Sequence, residues 1–187
     1  FATASAGTGK LVSIAGIALG GTDAGNYSLQ NTSASSSGTI TRRDVTLSAI
    51  TAADKTYDGT RSASITGGTI NTGVTGETLS VSGNGLFADK HAGSGKQVTV
   101  ADVTTLTRVD GTGSWSNYNL STTGSLSTTA SIDRAALTVT ANAVNKTYDG
   151  TAQFKRGYVL SGMSAGAAAP GIEGIATVAS MVAGTYD

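Results

Sequence analysis

Few side chains in this sequence could do chemistry, and those few do not converge. His91 is the single histidine and cysteine is absent from the 187 residues. A nucleophilic relay needs a base beside the nucleophile and a third group that orients the base. His91 has no such company in the sequence, and the matching place in the other copy of its motif holds Ser5. No Gly-x-Ser-x-Gly sits between a strand and a helix. The expectation is an exposed loop histidine and no enzyme.

Two segments mimic a phosphate loop: Ala6-Gly7-Thr8-Gly9-Lys10 and Ala92-Gly93-Ser94-Gly95-Lys96. Leu11 and Gln97 follow the lysines where a Ser or Thr is needed, and alternating strands follow instead of a helix. Phosphate cradling uses helix N-terminal amides, so both segments read as hairpin turns. Calcium wants six to eight oxygens with several carboxylates. The Gly-rich stretches at Asp23 to Asn26 and at Asp110 carry one acid each, so no metal and no cofactor is expected. Lys55 and Lys146 recur in register and raise the idea of a lysine isopeptide crosslink, but no acid to catalyse it can be singled out.

One set of residues suits binding. Trp115, Asn117, Tyr118 and Asn119 combine aromatic rings with amides, a pairing that fits a sugar face. They fall in the Thr105–Asn119 loop, which is enlarged over Thr105–Ser116 relative to its other copy. Against this stands core packing for Trp115, and the exposure of that ring discriminates the two.

The elements that would hold these residues are set by repetition. Lys-Thr-Tyr-Asp-Gly-Thr occurs at Lys55–Thr60 and again at Lys146–Thr151, 91 residues on (55 to 146). Asn26-Tyr27-Ser28-Leu29 matches Asn117-Tyr118-Asn119-Leu120 at the same spacing, and Phe1-Ala2 matches Phe87-Ala88 at 86 (1 to 87). A fixed long period marks an array of similar units. Residues 1–41 read as the back half of a unit, 42–133 as a whole one and 134–187 as the front half of a third. The chain therefore reads as a window onto a longer repetitive protein.

Within a unit the pattern alternates with period two, as in Val45–Ile50, Leu79–Val81, Val98–Val100 and Leu137–Ala141. Such alternation, rich in Thr and Val, specifies half-buried strands. Asp58-Gly59, Asn84-Gly85, Asp110-Gly111 and Asp149-Gly150 read as turns between them. Ala165–Ala169 reads as a loop. The expected fold is all-β: tandem Ig-like or related sandwich or barrel-like units of about 91 residues. Tyr57, Asp58 and Gly59, with their copies Tyr148, Asp149 and Gly150, read as a structural motif in which the tyrosine packs and the Asp-Gly pair turns. Twenty-six glycines, 13% charged residues and a formal net charge of zero give no footprint for nucleic acid, and no apolar run is long enough to span a membrane.

The repeated hexapeptide, the Phe87–Lys90 segment with Gly93–Lys96, and the Asn117–Leu120 motif resemble the YDG repeats of large filamentous-haemagglutinin-like exoproteins. Gly21–Leu29 is closer still to that pattern, and Leu137 to Asp187 is similar to the related MBG-type repeats. The resemblance implies a stalk or array module of a bacterial surface or biofilm-matrix adhesin, exported by two-partner secretion. Its implied partners are neighbouring repeats or copies of the same protein. Separately, the half units at 1–41 and 134–187 add up to about one unit, which raises the expectation that one molecule completes another head to tail and builds fibres. The alternative is an adhesin module that takes a glycan or host protein through Thr105–Asn119.

Overall fold

The computed structural model describes residues 1–141, 158–165 and 170–171. The described residues form an all-β molecule, with three single-turn 3-10 helices at Ala24–Asn26, Val103–Thr105 and Trp115–Asn117. Lys146, Tyr148, Asp149 and Gly150, and the Ala-rich stretch beyond Ala165, lie outside the described residues.

The first strands, β1 (Gly7–Ala15) and β2 (Ser33–Ile40), make an antiparallel pair. The chain then enters β3 (Arg43–Val45), β4 (Leu47–Ala52), β5 (Lys55–Thr56), β6 (Ser62–Ile70), β7 (Leu79–Phe87) and β8 (Gly93–Val100). After these come β9 (Thr107–Asp110), β10 (Tyr118–Leu120) and β11 (Leu126–Asp133), followed by the pair β12 (Thr138–Ala141) and β13 (Tyr158–Ser161). A seven-stranded sheet runs β4-β6-β7-β8-β11-β5, with β9 added on β7. A short parallel pair, β3 with β10, lies beside it.

That sheet has to roll up. β4 and β5 stand at opposite ends of its path, yet only Ala53 and Asp54 lie between them. Three backbone steps reach at most roughly 11 Å. The two linking residues hold the two edges together: the Ala53 amide donates to Ser64 O on β6 at 2.9 Å, and Asp54 Oδ1 accepts from the Ser131 amide on β11 at 2.5 Å. Inside the roll, alternate residues point inward, except on β4, where a register shift between Leu47 and Ala49 sets the inward residues three apart. Leu47 and Ile50, Ala63 and Ile65, Leu79 and Val81, Val98 and Val100, Ala130 and Ile132 form one core with Phe87 at its centre.

Four segments depart from the sequence reading. Asn84-Gly85, read as a turn, lies inside β7, where Gly85 pairs with Ala63. A Cβ on Gly85 would stand 3.1 Å from both Thr99 O and Val98 Cγ1, so the glycine admits a close neighbouring strand rather than reversing the chain. The two Gly-rich segments read as hairpin turns are the bulged beginnings of β1 and β8. Each bulge carries a glycine with left-handed φ, Gly9 at 63° and Gly95 at 61°. The lengthened stretch Thr105–Ser116 is not a loose loop. It builds β9, which pairs with β7 from Ser82↔Thr107 to Leu79↔Asp110.

The pair β1–β2 has the same register as β8–β11. Gly7↔Ile40, Lys10↔Gly38, Leu11↔Ser37, Val12↔Ser36, Ser13↔Ser35 and Ile14↔Ala34 become Gly93↔Ile132, Lys96↔Ala130, Gln97↔Thr129, Val98↔Thr128, Thr99↔Ser127 and Val100↔Leu126. The shift is 86 residues on the first strand (7 to 93) and 92 on the second (40 to 132). Flanking hydrogen bonds follow the same shift. The Ala2 amide to Leu11 O corresponds to the Ala88 amide to Gln97 O, both at 2.9 Å. The Ile17 amide to Thr32 O, at 3.0 Å, corresponds to the Val103 amide to Gly124 O, at 2.9 Å.

Candidate functional site

The recurring motifs meet at one end of the rolled sheet. Lys55 starts the hexapeptide on β5, and the turn that follows is closed by a single carboxylate. Asp58 Oδ1 accepts from Lys55 Nζ, the Thr60 amide and the Thr60 hydroxyl, each at 2.8 Å. Lys55 Nζ also donates to Thr60 O at 3.0 Å. Gly59 has φ of +82°, a conformation that other residues adopt only at a cost. The Lys55 ammonium, helped by the Thr60 donors, draws the Asp58 carboxyl down to about 2.

The second motif packs beneath the first. Phe87 is fully buried, and Lys55 Nζ lies 5.6 Å from its ring centre. Arg61 Nε donates to Phe87 O at 2.7 Å. Beyond Phe87, Asp89 Oδ1 accepts from Lys96 Nζ at 2.6 Å and from the His91 amide at 2.8 Å, which lowers the Asp89 pKa. Lys10 donates to Thr3 Oγ1 at the corresponding place in the first hairpin. These pairings of Lys55 with Phe87 and Lys96 with Asp89 were not read from the sequence. The signal available was that both motifs recur together.

Tyr57 is half-buried against the core, its amide bonded to Asp133 O at 2.8 Å. Its ring also lines a cleft of about 550 Å³ with Lys90, His91, Ala92, Arg134 and Met163. Ser164 Oγ donates to Tyr57 O at 3.1 Å. His91 is exposed here and bonds to no side chain through its ring among the described hydrogen bonds. The cleft thus brings cations, an aromatic ring and apolar carbon together, without a nucleophile held by a base. The Lys55–Asp58 pair is not poised for amide formation either. That condensation needs a protonated acid, and the hydrogen bond from Lys55 draws the Asp58 carboxyl down to about 2.

The four residues read as a sugar-binding set are engaged elsewhere. Trp115 is in the core. Its Nε1 donates to Ser80 O at 3.0 Å and Val109 O at 3.2 Å, with the Arg108 guanidinium 5.4 Å from the ring. Tyr118 is buried and its hydroxyl donates to Glu77, which raises the tyrosine pKa. Asn117 Oδ1 accepts from the Ala6 amide at 2.8 Å, and Asn119 Nδ2 donates to Asp44 Oδ1 at 3.3 Å. Both rings are buried, which for Trp115 is the core-packing alternative. The lengthened stretch needs a large apolar side chain to seat β9 on β7, and Trp115 supplies it.

Asp110 spends its oxygens internally, Oδ1 on the Trp115 amide at 2.6 Å and Oδ2 on Ser114 Oγ at 3.1 Å. Asp23 is exposed beside the 3-10 turn Ala24–Asn26 and makes no side-chain cap. Among the described residues no group of three or more metal-ligating side chains converges, and no helix is long and apolar enough to cross a membrane.

Residues 1–35 and 41–125 match the model of the YDG domain, together more than half of the chain. The chain belongs to the YDG domain family. No curated protein and no solved structure matches it. The first matched stretch of this YDG chain holds β1 and the start of β2, the second holds β8 and stops just before β11, and the residues from Lys55 to Lys96 that form the motif cluster lie inside the second.

Proposed function

We propose that this chain is a structural array segment of a secreted bacterial surface or matrix adhesin of the filamentous-haemagglutinin-like, two-partner-secretion kind. Its units extend the protein away from the cell. Its partners are neighbouring units, and it performs no catalysis.

The observation that carries this reading is the bond-for-bond correspondence between β1–β2 and β8–β11. A chain that spends its length rebuilding one set of strands is organised for extension. The recurring residues support it. Lys55, Asp58, Thr60, Phe87, Asp89 and Lys96 hold one another rather than converging on a cavity floor. The glycan-binding reading loses its ring platform to the core and finds no second observation in its favour.

The test is geometric. Additional in-frame copies of residues 42–133, inserted into the surface-displayed protein, lengthen the projection seen by electron microscopy by a constant increment per copy. An unchanged projection length overturns the assignment.

A further inference from the structure

The cleft beside Tyr57 has two walls. Tyr57 and Lys90 stand on the side of the rolled sheet, and Arg134, Leu137 and Met163 on the side that leads into and out of β12–β13. The walls are pinned together at one place. Ser164 Oγ donates to Tyr57 O at 3.1 Å, and a Cβ on Gly59 would stand 3.3 Å from Ala165 O. Within the second wall, Gly162 packs so closely that a Cβ there would collide with Ala136 O. The hollow left between the walls, about 550 Å³, is of the size that takes a small organic molecule.

The chemistry of this hollow is one-sided. Lys90, His91 and Arg134 line it, and among the described residues no Asp or Glu does. The acids of the two recurring motifs, Asp58 and Asp89, are each paired with a lysine outside the lining, Lys55 and Lys96. Lys90 and Arg134 join no ion pair among the described residues. Most of the remaining lining is carbon, including the Tyr57 ring and the exposed side chains of Leu137 and Met163. Covering such carbon is favourable in water, and methionine adapts its shape to what covers it. Cations beside apolar carbon suit an anion that carries an apolar body.

A sugar or a peptide suits the hollow less well. No Asn or Gln lines it among the described residues, nor any acid, so sugar hydroxyls would lack the planar polar partners that fix their orientation. A peptide added as a strand needs unpaired backbone. At Tyr57 both backbone groups are engaged, the amide with Asp133 O at 2.8 Å and the carbonyl with Ser164 Oγ.

We propose that the cleft is a binding site for a small amphipathic carboxylate, one acid group on an apolar body. The carboxylate meets Lys90 and Arg134, and the apolar body lies along Tyr57, Leu137 and Met163. Walls of carbon lower the dielectric around the ion pairs and strengthen them. The site stands apart from the array reading, since it needs neither extension nor a neighbouring unit.

Amide NMR of the 187-residue chain titrated with octanoate tests it. Octanoate shifts the signals of Tyr57, Ala92, Leu137 and Ser164 in a saturable way, while those of Val81 and Val98 in the core stay in place. 1-Octanol, the tail without the charge, binds about 2–5-fold more weakly, as expected for the loss of exposed ion pairs. Acetate, the charge without the tail, gives no saturable shift. Lys90→Glu/Arg134→Glu loses octanoate and keeps octanol, whereas Arg42→Glu, an exposed cation outside the lining, keeps the wild-type affinity for both. The proposal is overturned by the absence of a saturable shift, by shifts confined to other residues, or by octanol binding as tightly as octanoate. An octanoate affinity unchanged in the double variant overturns it as well. Trp115 fluorescence reports whether that variant is folded, and the comparison of octanoate with octanol on the wild-type chain decides without it.

Discussion

The Ala6 amide donates to Asn117 Oδ1 at 2.8 Å, across 111 residues of sequence. This bond ties the first hairpin to the rolled sheet through the motif that recurs at Asn26 and Asn117. Asn117→Ala removes the acceptor and leaves the amide to water, at a cost of about 1 kcal/mol locally. Hydrogen exchange at Ala6 should speed up several-fold while Val98 and Ile132 keep their protection. Unchanged exchange at Ala6 would show that the bond holds nothing.

Phe87 is the central side chain of the core, and truncation leaves a cavity beneath Lys55. Phe87→Ala is expected to destabilise by about 3–5 kcal/mol. Tyr57→Ala, at a half-buried ring, should cost about 2 kcal/mol, below the range for fully buried aromatics. Urea unfolding followed by Trp115 fluorescence orders the two. An equal or larger loss for Tyr57 contradicts the packing described.

Acid should weaken the molecule through its clipped turns. Asp58 falls to about 2, chiefly through Lys55, and Asp89 is lowered through Lys96 and Asp102 through the Thr104 amide. Depressed carboxylate values mean stability that is present above the unfolded value near 4 and lost as pH falls through the folded values. The melting temperature should therefore decline from about pH 4 downward. Asp58→Asn should start from a lower melting temperature at pH 7 and decline less steeply below pH 4. A variant with the wild-type slope refutes the assignment to this turn.

Alkali acts through Tyr118. Its hydroxyl donates to Glu77, and this bond together with burial raises the pKa above the ordinary 10.0. A raised value means stability that is full below the unfolded pKa and lost as pH rises through the folded one. Spectrophotometric titration should show one tyrosine ionising after the others, and Glu77→Gln should bring it back toward them. Coincident ionisation of all tyrosines excludes the pairing.

Calcium and EDTA should leave the melting temperature unchanged, because Asp110 already spends both oxygens on Trp115 and Ser114. A bound ion would stabilise by mass action. A shift of several degrees in differential scanning calorimetry marks a site that this arrangement does not account for.

Strand content was legible because period-two alternation at Val45–Ile50, Val98–Val100 and Leu137–Ala141 is a local signal. What stayed hidden depends on neighbours distant in sequence. Asn84-Gly85 has the composition of a turn, and only the approach of Thr99 O and Val98 explains the glycine within a strand. Trp115 reads as a core residue or a surface platform, and β9 paired on β7 supplies the neighbours that bury it. The hexapeptide announces itself by recurrence, but not that Lys55 reaches over Phe87, since the two are 32 residues apart (55 to 87).

The parallel pairing of β5 with β11, Ile132↔Lys55 and Asp133↔Thr56, sets how the sheet meets tension. The chain enters at Arg42 and runs through β3, β4 and β5. It leaves along β11 in the same sense as β5. A pull on the two ends is therefore directed along the strands, across hydrogen bonds that lie roughly transverse to it. Those bonds are loaded in shear and must yield together, instead of opening one by one like a zip. Pulled at its two ends, the rolled sheet resists as a rivet does.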